Sequence, residues 1–224
     1  MNPTVRVYPQ KSLDSRQIGR AFIGISLKPR KQQNVPQLGK VLDWTKEHIG
    51  QFDLLVGDFL NRHNYEAFDG MEEPAAAEVA MQHGRETVEQ LHHLLALHST
   101  TDADVLSAHA LYSDPTFTSR ASSFLSQYHD NPSFHALIDE AVTHFIERVQ
   151  RHGHADSFVR AHCVAYQVEE LALFELLAQK GYRALVYAGP QLPVMKAIVS
   201  KGLSDVSPLL EQLTLVELKF ARII

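Results

Sequence analysis

Two short apolar runs, Ala21–Ser26 and Phe52–Asp58, each end at polar or glycine residues and have the length of strands buried on both faces. Between them Leu38, Val41, Leu42, Trp44 and Ile49 fall on one face of a helix from Pro36 to Gly50, with proline near its start and glycine at its stop. Residues 20–58 therefore read as a βαβ unit. From Glu72 to His98 the chain is rich in Ala, Glu, Gln and Leu, and Val88, Leu91, Leu94 and Leu95 repeat at helical spacing, which predicts one long helix. Further helical patterns cover about 102–112, 116–129, 133–151 and 155–180, broken at Asp114-Pro115, Asn131-Pro132 and His152-Gly153-His154. Arg183–Tyr187 reads as a strand, then come Gly189-Pro190, a helix near 193–200 and a last strand around Leu213–Lys219.

Strands alternating with helices favour an α/β fold: one Rossmann-like domain over residues 1–224, with a mainly parallel sheet flanked by helices and a helical insertion in the second half. No repeat, low-complexity tract or Pro/Ser-rich linker divides the chain.

Composition changes this picture little. The 224 residues are 45% hydrophobic and 21% charged, enough for one sizeable core. The lone Cys163 excludes an internal disulfide framework, and no apolar run approaches the ~20 residues of a membrane helix. The N-terminal stretch lacks the apolar centre of a secretory signal, so a cytoplasmic protein with no membrane association is expected. The net charge of −5 hides an asymmetry: residues 1–62 carry ten Lys or Arg against five Asp or Glu, and the remainder is acidic. Any polyanion contact is expected in the N-terminal third.

Three features could carry chemistry. Gly24-Ile25-Ser26 puts a serine at the carboxyl end of a parallel strand, where ligands bind in open α/β sheets, although strands also end in serine for turn chemistry. Lys28 stands where a nucleophile elbow needs its second glycine, which argues against an ordinary esterase. Tyr166 and Glu170 share a helix face beside apolar Leu173, Phe174 and Leu177, where a partly desolvated carboxylate suits a general base. A Tyr-Glu pair at the rim of the core is the structural alternative, with Glu169 as the solvated neighbour. Tyr187 ends a later strand, where its ring could reach the sheet edge of Ser26 or simply fill the core.

In combination, Ala21–Ser26, Asp58-Phe59-Leu60-Asn61-Arg62-His63-Asn64, Tyr166–Glu170 with Leu173-Phe174, and Leu185-Val186-Tyr187 resemble the tRNA-dependent cyclodipeptide synthases, whose Rossmann-like fold is shared with class I aminoacyl-tRNA synthetase catalytic domains. The resemblance covers residues from about 20 to 200. It implies that Ser26 is the acylated nucleophile, that Tyr166 and Glu170 hold and deprotonate the substrate amino group, and that Tyr187 assists proton movement in cyclisation. Gly24 would allow close approach, and Phe22, Leu55, Leu173 and Leu185 would line the pocket for the first aminoacyl side chain. One subfamily has Asn three residues after the serine and His after the later tyrosine; Pro29 and Ala188 set this chain apart from it and nearer the second group, which usually has Tyr-Pro at the later site.

The resemblance implies two aminoacyl-tRNAs as substrates, with Lys28, Arg30, Lys31 and Arg62 contributing to the tRNA footprint. Because the ester arrives activated, no cofactor is expected, in keeping with a sequence that has neither a P-loop nor GxGxxG. No metal is expected either: among thirteen histidines, His92-His93, His98 and His152-x-His154 lack a ligand-spaced pattern. A monomer is expected. The competing readings are an α/β serine hydrolase, which would need His and Asp within reach of Ser26, and a non-catalytic tRNA-binding Rossmann module.

Overall fold

The computed structural model describes residues 3–9, 19–27, 35–100, 102–149, 156–203 and 205–220. Lys28, Pro29, Arg30, Lys31, His152 and His154 lie outside the described residues.

Six strands form one sheet: β1 (Thr4–Tyr8), β2 (Arg20–Ile25), β3 (Phe52–Val56), β4 (Val105–Ser107), β5 (Tyr182–Tyr187) and β6 (Thr214–Lys219). Their order is β1-β6-β5-β2-β3-β4, and every neighbouring pair is parallel except β1 with β6. The helices are α1 (Val35–His48), α2 (Arg62–Asp69), α3 (Glu73–Leu97), α4 (Ala108–Tyr112), α5 (Phe117–Asp130), α6 (Pro132–Val149), α7 (Ser157–Gln179) and α8 (Pro193–Val199). This is the expected α/β, Rossmann-like arrangement, with α4 to α7 as the helical insertion between β4 and β5.

Alternation along the strands divides the core in two. Phe22, Leu55, Leu185 and Leu215 point to one face and pack with α5, α6, α7 and α8. Ile23, Ile25, Leu54, Val56, Val186 and Val216 point to the other and meet Leu38, Val41 and Leu42 of α1 and Leu91, Leu94 and Leu95 of α3. Strands covered on both sides read as continuous apolar runs, which is why β2, β3 and β5 are legible in the sequence.

The structure departs from the expected elements in three places. β1 pairs antiparallel with β6 at the sheet edge, and its part-exposed residues give no apolar run. β4 occupies the middle of the segment expected to be helical from 102 to 112; three half-buried residues on an edge carry too little pattern to show a strand. A 3-10 turn, Phe59–Asn61, and α2 fill the link between β3 and α3, where the polar sequence RHNYEAFD hides a helix that is mostly buried.

Connections from β2 run through β3 and β4 to one side, whereas β5 lies on the other. The carboxyl ends of β2 and β5 thus flank a topological switch point, where open α/β sheets leave a crevice.

Candidate active site

Beside that crevice is a cavity of about 320 Å³. Ser26, just past β2, lines it together with Gly24; Tyr187, the last residue of β5, lines it from the neighbouring strand. Tyr166 and Glu170, one turn apart on α7, complete the four predicted catalytic positions, and all four are half-buried. Three elements separated in sequence therefore bring the four side chains to one cavity.

Gly24 is needed for this packing. A methyl group there would stand 3.3 Å from Cδ2 and 3.6 Å from Cε2 of Tyr187, so the bare backbone lets the tyrosine ring lie against β2. A methyl group on Gly57 would lie 3.8 Å from the Tyr166 hydroxyl, which puts that hydroxyl close to the end of β3. After Tyr187 the chain turns at Gly189, whose φ of 140° favours glycine, and brings Pro190, Gln191 and Leu192 to the cavity rim. Gln191 is fixed there by its Nε2 donating to the carbonyls of Leu185 and Val216, and by its backbone N–H donating to Glu217 at 2.8 Å.

Of the expected wall residues, Leu55 and Leu185 line the cavity. Phe22 and Leu173 do not. Phe22 shares the face of Gly24 and Ser26 but sits one strand repeat deeper, fully buried under Phe174 and Tyr182 with ring centroids 5.4 and 5.8 Å away. Leu173 is turned from the Tyr166–Glu170–Phe174 line into the core, and Phe174 takes the wall position. The wall also includes Phe68, Val142 and Phe145 from α2 and α6, which no local motif announces. Gln167 joins them, and its buried Oε1 accepts no hydrogen bond within the protein. Cys163 lines the cavity as a buried thiol, pushed up to about 11 by burial despite Arg160 nearby, which favours the protonated form at neutral pH.

The Asp58–Asn64 motif braces the site, and its Leu60, Asn61 and Asn64 also line the cavity. Asp58 accepts from the N–H of Phe59 at 2.8 Å, the N–H of His109 at 3.0 Å and the Ser107 hydroxyl, tying β3 to the end of β4. A methyl group at Gly84 would overlap Asp58, so α3 can cross here only as glycine. Asn61 donates to the carbonyl of Gly57 and accepts from Asn64, both at 2.9 Å. Arg62, expected on the tRNA-facing surface, is buried instead: its guanidinium donates to Glu169 at 2.7 Å and stacks 4.2 Å from the Phe59 ring centre. A cation so enclosed and paired is not available to a phosphate.

Glu169 correspondingly is not the solvated neighbour of Glu170. It receives Arg62, the Tyr112 hydroxyl and His63 Nε2 at 3.0 Å. Burial pushes its carboxyl up, but the hydrogen bond from His63, with the charge of Arg62 and the hydrogen bond from the Tyr112 hydroxyl, outweighs that and holds it at about 2. Arg62 is raised against the cost of its own burial by Glu169 and Tyr112, and the Tyr112 hydroxyl is raised chiefly by burial. Glu169 thereby fixes α7 to α2 and α4, and with it the direction of Tyr166 and Glu170. Sequence spacing gave no sign of this, because each partner of Glu169 comes from another element.

The cyclodipeptide synthase family model matches residues 15–177. The chain belongs to the cyclodipeptide synthase family. A search of curated proteins by sequence finds no match. Among solved structures, a cyclodipeptide synthase of Fluoribacter dumoffii superposes with a TM-score of 0.82 at 16% identity, covering 98% of this chain and all of that one. A Mycobacterium tuberculosis protein, in a structure described as relating cyclodipeptide synthetases to type I tRNA synthetases, gives 0.74 at 16% identity over 95% of this chain and 90% of its own. A synthase of Candidatus Glomeribacter gigasporarum, bound to Phe-tRNAPhe, gives 0.63 at 20% identity over 94% and 92%. These likenesses show the fold. Ala188 is buried on the far face of the sheet, outside the cavity.

Proposed function

We propose that residues 1–224 act as one catalytic unit that joins two aminoacyl groups from aminoacyl-tRNAs into a cyclic dipeptide through covalent intermediates on Ser26. The observation that carries this is the meeting of Ser26, Tyr166, Glu170 and Tyr187 in one cavity at the sheet's switch point. The Ser26 Oγ attacks the ester carbonyl of the first aminoacyl-tRNA; the tRNA hydroxyl leaves with a proton, and an aminoacyl ester forms on the serine. Glu170, aided by Tyr166, holds the ammonium of that ester and accepts its proton. The freed amine attacks the second aminoacyl-tRNA, releasing the second tRNA and giving a dipeptidyl-Ser26. The terminal amine then attacks the Ser26 ester, closing the ring and returning the hydroxyl, with Tyr187 assisting the proton transfer.

The cavity wall of Leu55, Leu185, Phe174, Phe68 and Phe145 favours an apolar first aminoacyl side chain. A tRNA path past Lys28, Arg30 and Lys31 follows from the positive N-terminal third and the position of Ser26 at its edge. The hydrolase alternative is disfavoured because no histidine among the described residues lines the cavity.

Wild type and Ser26→Ala incubated with a mixture of aminoacyl-tRNAs, with cyclic dipeptides measured by mass spectrometry, test the reading. Wild type is expected to make product and the alanine variant none, with an unchanged circular dichroism spectrum. Product from Ser26→Ala near the wild-type rate would overturn the covalent route.

A further inference from the structure

On the side of α7 that meets α2, three side chains converge that the proposed reaction does not use. His63 and Glu66 are three residues apart on α2, with side chains 10% and 9% exposed; His162 on α7, 21% exposed, faces them. Glu66 Oε2 lies 3.4 Å from His63 Nδ1 and 3.1 Å from His162 Nδ1, and one ligand atom from each of the three residues falls within 4.8 Å of the other two. Neither His63 Nδ1 nor Glu66 Oε2 has a hydrogen-bond partner, although both are buried.

We propose that His63, Glu66 and His162 bind one divalent transition-metal ion, zinc by preference, that clamps α2 to α7. Donor atoms held about 2.0–2.1 Å from a tetrahedral zinc stand about 3.3 Å apart, so the two measured separations need little adjustment. The second coordination sphere is in place. Glu169 Oε2 is 3.0 Å from His63 Nε2, the carboxylate–histidine arrangement that fixes an Nε2–H tautomer and leaves the Nδ1 lone pair for a metal. That lone pair and a carboxylate oxygen would then face each other, a buried repulsion that a cation between them relieves. Two imidazoles and one carboxylate suit zinc or its spectroscopic substitute cobalt, and three protein ligands leave a fourth position for water on the more open His162 side.

The ion would touch no reacting atom. It would position α7, since His162 lies one turn before Tyr166 and two before Glu170. The absence of a metal expected from the sequence rested on short-range histidine spacing, whereas these ligands come from two helices far apart in the chain. The proposal is independent of the reaction proposed for Ser26.

Titration of the chelator-treated full chain with Zn²⁺ by calorimetry, and with Co²⁺ by visible absorption, tests it. One equivalent should bind at low micromolar concentration or tighter, Co²⁺ should give the absorption bands of a low-coordinate site, and zinc should raise the thermal midpoint. His162→Ala and, as a second variant, Glu66→Gln should weaken binding by about 100-fold or more. A His92→Ala/His93→Ala variant should bind as wild type. Absence of stoichiometric binding of either metal to wild type would overturn the site, as would affinity unchanged in folded His162→Ala or lost only in the His92/His93 variant.

Discussion

At the scale of single residues, Gly24 shows how a side chain's absence shapes the site. Tyr187 lies where a Cβ on residue 24 would be in tight contact, so a larger side chain must displace the ring or the strand. Gly24→Val is expected to lower the rate of cyclic dipeptide formation by about 10²-fold, the cost of a misplacement near 1 Å, while the far-UV circular dichroism stays unchanged. An unaltered rate would show that Tyr187 need not rest on the strand. That Ser26, Tyr166, Glu170 and Tyr187 could meet was legible because each occupies a position that a period defines, a strand end or two sites one helical turn apart, while their roles came only from the family resemblance. Phe22 obeys the same period yet misses the cavity, because periodicity gives the face of an element and not the depth along it, whereas Leu173 is turned off the Tyr166–Glu170–Phe174 line into the core. Arg62 and Glu169 were misread because long-range pairing, not composition, decides whether a charge is solvated.

At the scale of elements, α7 is the part whose placement matters most, and Glu169 is its anchor. Removing that carboxylate leaves the Arg62 guanidinium, only 9% exposed, without its partner. Glu169→Ala should therefore lower the unfolding free energy by about 3–5 kcal/mol, as for other broken buried pairs, in urea denaturation at neutral pH. Tyr112→Phe, which removes one hydrogen bond to the same carboxylate, should cost about 1–3 kcal/mol. Equal stability of Glu169→Ala and wild type would mean that α7 is held by its apolar face alone. Long or fully covered elements were legible in the sequence: β2, β3, β5, α1, α3 and α7 all follow the apolar pattern. The edge strands β1 and β4 and the polar helix α2 were not, because their existence depends on what they pair with.

At the scale of the whole molecule, the sheet order sets the cavity beside α7, the helix that also carries the buried polar network to α2. Strands β2 and β5 diverge at the switch point and expose Ser26 and Tyr187 to the crevice; α7 crosses beside them, carrying Tyr166 and Glu170 to the cavity and Glu169 and His162 to their partners on α2. At the other end of the sheet Asp53 joins the Tyr182 hydroxyl, Arg20 at 2.6 Å and the N–H of Asp104 at 2.8 Å, fastening four adjacent strands in register. The fold class and the order of the catalytic candidates could be read from the chain, whereas the wall from α2 and α6 required the packed molecule. The central claim is that this assembly makes Ser26 a carrier of the aminoacyl group and Glu170 the base that releases it. Intact-protein mass spectrometry of Glu170→Gln after brief incubation with aminoacyl-tRNA tests it most directly. The account predicts one added aminoacyl group on the peptide containing Ser26, with cyclic product reduced by about 10²-fold or more. Normal product from Glu170→Gln, or an adduct on a residue other than Ser26, would contradict it.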